Sequence, residues 1–227
     1  MWQELRTELH PRGLEIVTVA LDANVEAAQR VIEAAKPEHP SLIDEAHLVD
    51  ELFGVVNVPS GVWIDEEGMI VRPPEPAFPG RSAYRMTHVP DNLPPQLKAM
   101  LEEAQKIRTE PEKYVAALRD WVDRGAGSEY ALSRGEVIER SRPRPIEEAE
   151  GAAHFELAEH LHRRGQTDDA VRHFREAHRL QPDNWTYKRQ AWSLADPLQG
   201  PTEQYEGDWL SDVRKIGAEN YYPPLRM

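Results

Sequence analysis

The sequence has no cysteine among its 227 residues. A chain without thiols forms no disulfide, presents no thiolate nucleophile and holds no metal ion through sulfur. It also has no apolar run approaching the roughly 20 residues that a membrane-spanning helix needs. Residues 1–5 lead straight into an amphipathic pattern rather than a signal peptide. These absences predict that the chain has no membrane span and that, as it stands, its location is cytoplasmic.

Basic residues are few, because 27 lysines and arginines stand against 40 acidic residues, a formal net charge of −13. A chain so acidic, and without a basic block, is a poor ligand for nucleic acid or for an anionic membrane surface. Its 40% of hydrophobic residues is typical of a soluble globular protein, and its length suits one or two domains. Its 19 prolines indicate substantial loops or linkers.

The first part of the chain alternates helical and extended patterns, which predicts a layered α/β domain. The β-branched run at residues 14–21 is typical of a strand that is buried on both faces. We expect Val31 on the second helix, and Leu48 and Leu52 on the third, to face the core. The predicted helices are 2–10, 25–35 and 46–53, and the predicted strands are 14–21, 41–44, 62–65 and 69–71.

The last two of these strands form a predicted hairpin that is entered through a valine–proline step. Residues 65–68 supply a tight turn in which Gly68 takes the left-handed position. Pro59 cannot donate to a sheet ladder, so it belongs at the very start of its strand. The cis isomer costs little at such a bond, and we expect it between Val58 and Pro59.

This hairpin resembles the one that follows the active site in thioredoxin-like proteins, especially the TlpA/ResA-like (redoxin) branch. The resemblance covers residues 1–73 and implies a thioredoxin-like α/β domain there. It also implies thiol-disulfide or peroxide-linked redox chemistry, with Val58 and Pro59 facing the redox centre and binding an extended substrate. The residues that carry the resemblance are Arg12-Gly13 before a strand, Phe53-Gly54-Val55, Val58-Pro59, Ile64-Asp65 and Gly68.

The chain departs from that family at its first element. The family's first strand and its Cys-x-x-Cys segment lie just ahead of the helix that here begins at Trp2. The α/β domain is therefore expected to be incomplete at its N-terminus, with a substrate wall but no catalytic residue of its own. Two explanations stay open: a catalytic cysteine or selenocysteine segment upstream, with an extracytoplasmic location if a leader precedes it, or a degenerate domain that only binds.

Beyond the hairpin we expect a proline-rich linker at residues 74–95, an all-α domain at 96–196 and a tail at 197–227 that wraps back onto the body. Predicted helices are 97–108, 111–124 and 130–140, with a break at 142–145.

Residues 151–184 have the spacing of one tetratricopeptide-type helical hairpin, and the resemblance implies that this region binds a protein partner. Small alanines let the two helices approach closely, Gly165 makes the turn, and Pro182 ends the second helix. Because solenoids of this type need several repeats, the neighbouring helices are expected to cover this single one. The matching residues are Leu157, Ala158, Leu161, Gly165, Ala170, Phe174, Ala177, Leu180 and Pro182.

The remaining residues with titratable side chains are better explained by ordinary structural positions than by a catalytic or metal-binding site. The histidines of the hairpin are expected to be solvated, and no metal or cofactor is expected. The resulting hypothesis is a thioredoxin-like redox protein with a tetratricopeptide-type interaction region, inactive in this cysteine-free form. The alternatives are a non-catalytic protein-interaction module and a homodimer formed by the helical part. The histidines concerned are His154, His160, His162, His173 and His178.

Overall fold

A computed structural model describes residues 1–80, 88–141 and 143–227. Within these ranges the chain has ten α-helices and four strands, so the prediction of a mixed α/β chain is confirmed at that level. No described helix is long and apolar enough to span a bilayer. The helices are α1 (Trp2–Leu9), α2 (Val25–Ala35), α3 (Leu48–Phe53), α4 (Pro95–Ala104), α5 (Pro111–Arg124), α6 (Arg134–Arg140), α7 (Ile146–Arg163), α8 (Thr167–Leu180), α9 (Trp185–Ala195) and α10 (Trp209–Ile216). The strands are β1 (Thr18–Leu21), β2 (Ser41–Asp44), β3 (Ser60–Ile64) and β4 (Ile70–Pro76).

The strands form two separate two-stranded sheets. β1 and β2 are parallel, with Thr18 opposite Ser41, and β3 and β4 are antiparallel, with Ser60 opposite Pro76. In the described ranges no ladder joins the two sheets. One edge of β1 and one edge of β3 therefore have no strand partner in this part of the chain.

β4 is longer than the sequence predicts. The expectation that the returning strand ends at Val71 is wrong, because β4 extends to Pro76, into the predicted linker. A bulge between the pairs Gly61–Glu75 and Trp63–Arg72 holds Pro73 and Pro74, which cannot donate to the ladder. Residues 77–80 and 88–94 of that linker lie outside helices and strands, whereas residues 81–87 of the linker, and Arg142 of the predicted break, lie outside the described residues.

The α/β core is built around Trp63 of β3. Its indole Nε1 donates to the hydroxyl of Tyr114 on α5 at 3.2 Å, and its ring stacks on Trp121 at 5.0 Å. Leu5 and Leu9 of α1 are buried in the same cluster. α5 belongs to the predicted helical range 96–196, yet it packs here. We call α1–α3, β1–β4 and α5 the α/β half.

Part of the α/β half is less covered than predicted. The four residues of β1 are only half-buried, so the expectation that this strand is buried on both faces is wrong. The inward orientation expected for Val31, Leu48 and Leu52 is wrong as well, since these side chains are 70%, 53% and 78% exposed, whereas Ala28 of α2 is buried. No described element packs over these side chains, which is why their apolar character did not lead to burial.

The predicted helical hairpin is present as α7 and α8. Phe155 and Phe174 meet edge to face at 5.6 Å between the helices. Ala158 and Ala177 have no exposed surface, which allows the close approach that small residues permit. Gly165, at φ 74°, makes the turn. α4 and α7–α10 share one core and are called the helical half.

The C-terminal region joins the two halves, which confirms that the tail wraps back. It contains α10, a helix that the sequence interpretation missed, although Asp208 and Ser211 form a capping box at its start. Tyr221 is buried in the core of the helical half, and Leu225 is buried in the core of the α/β half.

Candidate functional site

The two predicted substrate-binding residues, Val58 and Pro59, lie between α3 and β3. Gly54, at φ 72°, ends α3 and turns the chain into this segment. The Val58–Pro59 peptide bond is cis, the isomer expected at that step. The backbone N–H of Val58 donates to the side-chain oxygen of Asn57 at 2.9 Å.

The polar groups of this segment are engaged by the helical half and by the tail. The carbonyl of Val58 accepts a hydrogen bond of 2.7 Å from the hydroxyl of Tyr222. The carbonyl of Val56 accepts the N–H groups of Trp185 and Thr186, at 2.7 and 3.2 Å. These two N–H groups open α9 and have no partner within their own helix, so Val56 caps that helix from outside.

Val58 also lines a cavity of about 670 Å³ between the two halves. On the α/β side its wall includes Leu21, the last residue of β1, and His47. On the helical side it includes Arg189 and Gln190 of α9. The volume lies within the range of small-molecule sites, and the mixture of apolar and polar lining is typical of them.

The cavity lies where β1 ends and α2 begins. Asp22 accepts the N–H of Asn24 at 2.8 Å, and the side chain of Asn24 caps α2 by accepting the N–H of Ala27 at 3.0 Å. Asp22, Asn24 and Ala27 all line the cavity. The carboxyl end of a parallel strand, followed by a helix N-terminus, is the usual place for a ligand in an open α/β sheet.

A buried cluster of titratable groups adjoins this cavity. His47 Nδ1 lies 3.1 Å from Asp50 Oδ2, and His47 Nε2 lies 3.1 Å from the side-chain oxygen of Gln190. The same Nε2 lies 3.7 Å from Glu159 Oε1. Each of these side chains is less than one-tenth exposed. The α/β half thus contributes a histidine and a carboxylate, and the helical half contributes a second carboxylate.

The carboxylate of Glu159 is poorly satisfied. In the described part of the chain neither of its oxygens has a hydrogen-bond partner. Burial raises its pKa from 4.5 to about 7, against the opposing effect of the His47 charge. Burial by itself lowers the pKa of His47, but the hydrogen bond to Asp50 and the charge of Glu159 outweigh it, so the net shift is upward.

The sequence interpretation missed this cluster. His47 precedes α3 and Asp50 lies in its first turn, and polar residues are common at such positions whether or not they form a site. Glu159 follows a strictly buried alanine of the hairpin, and a glutamate at such a position is a signal that could have been noticed. Val58 and His47 line the same cavity, whereas Pro59 is not among its lining residues.

The histidines of the hairpin differ in their environments. His154 and His173 lie together, with their Nδ1 atoms 2.8 Å apart. The expectation that all are solvated is wrong for His178, which packs against the rings of Trp192 and Tyr205. Burial lowers its pKa to about 4. Among the described residues no group of three or more histidine, aspartate or glutamate side chains is arranged to hold a metal ion.

Comparison with known proteins gives no relative: no family model, no curated protein and no solved structure matches this chain.

Proposed function

We propose that the α/β half is a thioredoxin-like module for thiol-disulfide or peroxide-linked redox chemistry. Val58 and Pro59 form its substrate wall. The nucleophile comes from a strand that carries cysteine or selenocysteine and pairs between β1 and β3. The helical half, with its tetratricopeptide-type hairpin, holds a protein partner near the site.

The observation that carries this proposal is that Leu21 and Val58 line one cavity. Leu21 ends β1, and Val58 precedes β3, so the cavity lies at the ends of two strands from different sheets. A strand that ran parallel to β1 between the two sheets would end beside the same cavity. A cysteine or selenocysteine just after that strand would face Val58.

The described part of the α/β half has open strand edges and exposed apolar side chains, as expected of a sheet to which a further strand pairs. β1 and β3 each have an edge without a strand partner in the described ranges. Large apolar side chains lie exposed on the neighbouring elements, with Val17 53% and Leu42 54% exposed. Exposed apolar surface beside an open strand edge is typical of a site that another strand covers.

N-terminal peptide mass spectrometry of the protein from its source cells tests the proposal. We expect a product that extends beyond Met1 and carries cysteine or selenocysteine. That product should reduce a disulfide-bonded peptide, and Val58→Phe, which narrows the cavity at this wall, should lower the rate about tenfold. The matched control is Val56→Phe, because the side chain of Val56 is 49% exposed. A natural product that begins at Met1 contradicts the redox proposal.

A second candidate function, a non-catalytic interaction module, is favoured by the engagement of the Val58 and Val56 carbonyls within the chain. Here the segment serves as a joint between the halves. A natural product without cysteine or selenocysteine that still binds a protein through the hairpin supports this candidate. The hypothesis of a homodimer is tested by sedimentation velocity, and a strictly monomeric chain contradicts it.

A further inference from the structure

The junction is the contact between residues 44–58 of the α/β half and helices α7 and α9 of the helical half. At its centre His47 meets Phe155 of α7 edge to face, at 5.1 Å between ring centroids. Around it, Glu51 accepts from the hydroxyl of Tyr187 at 3.3 Å and pairs with Arg144 at 2.6 Å. The titratable cluster of His47, Asp50 and Glu159 therefore sits inside the surface that joins the halves.

The cluster has one cationic partner for two carboxylates. Both ring nitrogens of His47 face oxygen acceptors, Asp50 Oδ2 and the side-chain oxygen of Gln190, an arrangement that suits the doubly protonated imidazolium. The imidazolium therefore has no N–H left to donate to Glu159. A carboxylate without a donor at a site that is 1% exposed is costly, whereas a protonated carboxyl group is much less so.

The other charged groups around Glu159 do not compensate for the missing hydrogen-bond donor to its carboxylate. Arg163, on the same helix, keeps its guanidinium 3.7 Å from Glu159 Oε2 but is 38% exposed and also donates to the carbonyl of Glu45. Asp44, at the end of β2, and Asp50 both add negative charge. α9 faces the cluster with the uncharged Gln190, whose side-chain nitrogen has no hydrogen-bond partner among the described residues.

We propose that this cluster is a proton-dependent clasp, which holds the two halves together while Glu159 is protonated and loosens the junction when Glu159 ionises. The clasp is independent of redox chemistry and works in the chain as it stands.

The direction of the pH response follows from the two proton sites. Burial raises the pKa of Glu159 to about 7, and the pKa of His47 is raised as well. The closed junction thus binds both protons more tightly than an open junction, in which the groups meet water. By linkage, low pH favours the closed state, and the open state gains as pH rises through about 7.

Each half has its own core, so the contacts around His47 can loosen without global unfolding, while the C-terminal region still ties the halves together. The α/β core surrounds Trp63, and the helical core surrounds Phe155 and Phe174. The clasp is therefore expected to change the distance between the halves while the helices of each half persist.

Because the chain has no cysteine, two introduced cysteines can be spin-labelled without background. Leu52→Cys on α3 and Leu157→Cys on α7 are suitable, since these side chains are 78% and 42% exposed. We expect the distance between the labels to lengthen and broaden from about pH 5.5 to about pH 8.5, with a midpoint near neutral pH. Far-ultraviolet circular dichroism should stay unchanged over that range.

Glu159→Gln keeps the shape of the side chain and removes its charge. In the doubly labelled protein this variant should lose the part of the response that comes from Glu159, so the distance should lengthen clearly less than in the parent protein. The matched control is Glu156→Gln, an exposed residue of the same helix, which should retain the full response. An unchanged distance in the parent protein overturns the clasp whether or not the Glu159 variant folds. The clasp is also overturned by an equal response in Glu159→Gln, or by a distance change that accompanies loss of helix.

Discussion

The hydroxyl of Tyr222 donates a hydrogen bond of 2.7 Å to the carbonyl of Val58. A residue of the C-terminal region thus engages Val58, for which we propose a role in a substrate wall. Next to this bond, Asn57 donates through its side-chain nitrogen to the carbonyl of Tyr221 at 3.1 Å. The segment before β3 is therefore fixed by the C-terminal region as well as by α9.

Tyr222→Phe removes this bond and keeps the ring contacts with Phe78 and Tyr221. We expect the free energy of unfolding to fall by about 1 kcal/mol, the usual value of one such hydrogen bond. Urea denaturation measures it. An unchanged midpoint means that water replaces the tyrosine hydroxyl at the Val58 carbonyl without loss.

Gly61→Ala is expected to destabilise the α/β core. A Cβ atom at this position would lie 2.7 Å from the hydroxyl of Tyr114 and 2.9 Å from Cβ of Ala77. Overpacking of this kind costs about 1–3 kcal/mol, measured by thermal or urea unfolding. Gly127→Ala is the matched control, since a Cβ atom there would meet nothing within 4 Å and the stability of that variant should not fall.

A double variant separates this clash from other effects of alanine. Tyr114→Phe removes the hydroxyl that the new methyl group meets, together with its hydrogen bond to Trp63. If the clash is the cause, adding Tyr114→Phe to Gly61→Ala should cost less than Tyr114→Phe costs alone. Strict additivity of the two substitutions contradicts the explanation.

His178 is expected to make the protein sensitive to acid. Burial lowers its pKa from 6.5 to about 4 in the folded state. The unfolded chain therefore binds a proton at a higher pH than the folded chain does, and the free energy of unfolding falls as pH drops from about 6.5 to about 4. The loss attributable to this group is at most about 3 kcal/mol.

His178→Leu should remove that part of the acid response, as measured by urea denaturation at a series of pH values. His160→Leu, at an exposed position of α7, is the control and should leave the response in place. A His178→Leu protein that loses stability in acid as steeply as the parent shows that other groups dominate.

Arg72 should be among the most sensitive positions of the α/β half. It is 1% exposed, donates to the carbonyls of Tyr130 and Arg226 at 2.5 and 2.9 Å, and pairs with Glu75 at 3.1 Å. Arg72→Met leaves two carbonyls and a buried carboxylate without this partner, which costs about 3–5 kcal/mol.

The comparison for Arg72→Met is Arg179→Met, which removes an exposed ion pair with Glu176 and should leave the unfolding midpoint unchanged. Equal effects of the two substitutions contradict a special role for the buried guanidinium.

Local signals in the sequence located several elements accurately. Asn24 caps α2 and Pro111 opens α5, and the predicted bounds of both helices agree with the structure. These residues act on the backbone next to them, so a short stretch of sequence carries the information. The hairpin of α7 and α8 was predictable for the same reason, because its small residues and its Gly165 turn follow one another along the chain.

Burial depends on distant partners, and there the sequence was less informative. Val31 and Leu52 have the spacing of inward-facing residues, but no described element covers them. The cluster contains His47 and Asp50 from the start of α3 and Glu159 from α7, more than a hundred residues later, so no local sequence pattern predicts it. The N-terminus of α9 bonds to Val56 and Tyr222 of the C-terminal region bonds to Val58, and the valine–proline step predicts neither contact.

The placement of Tyr221 and Leu225 in two different cores has a consequence for biosynthesis. Leu225 packs in the cluster that begins with Leu5 of α1, so the core around the first helix is completed by a residue more than two hundred positions later. Domains commonly fold in order as they leave the ribosome, N-terminal part first. Here the core of the N-terminal part lacks Leu225 until the end of synthesis, and the helical core lacks Tyr221 almost as long. Neither core can therefore be completed until this region has been synthesised.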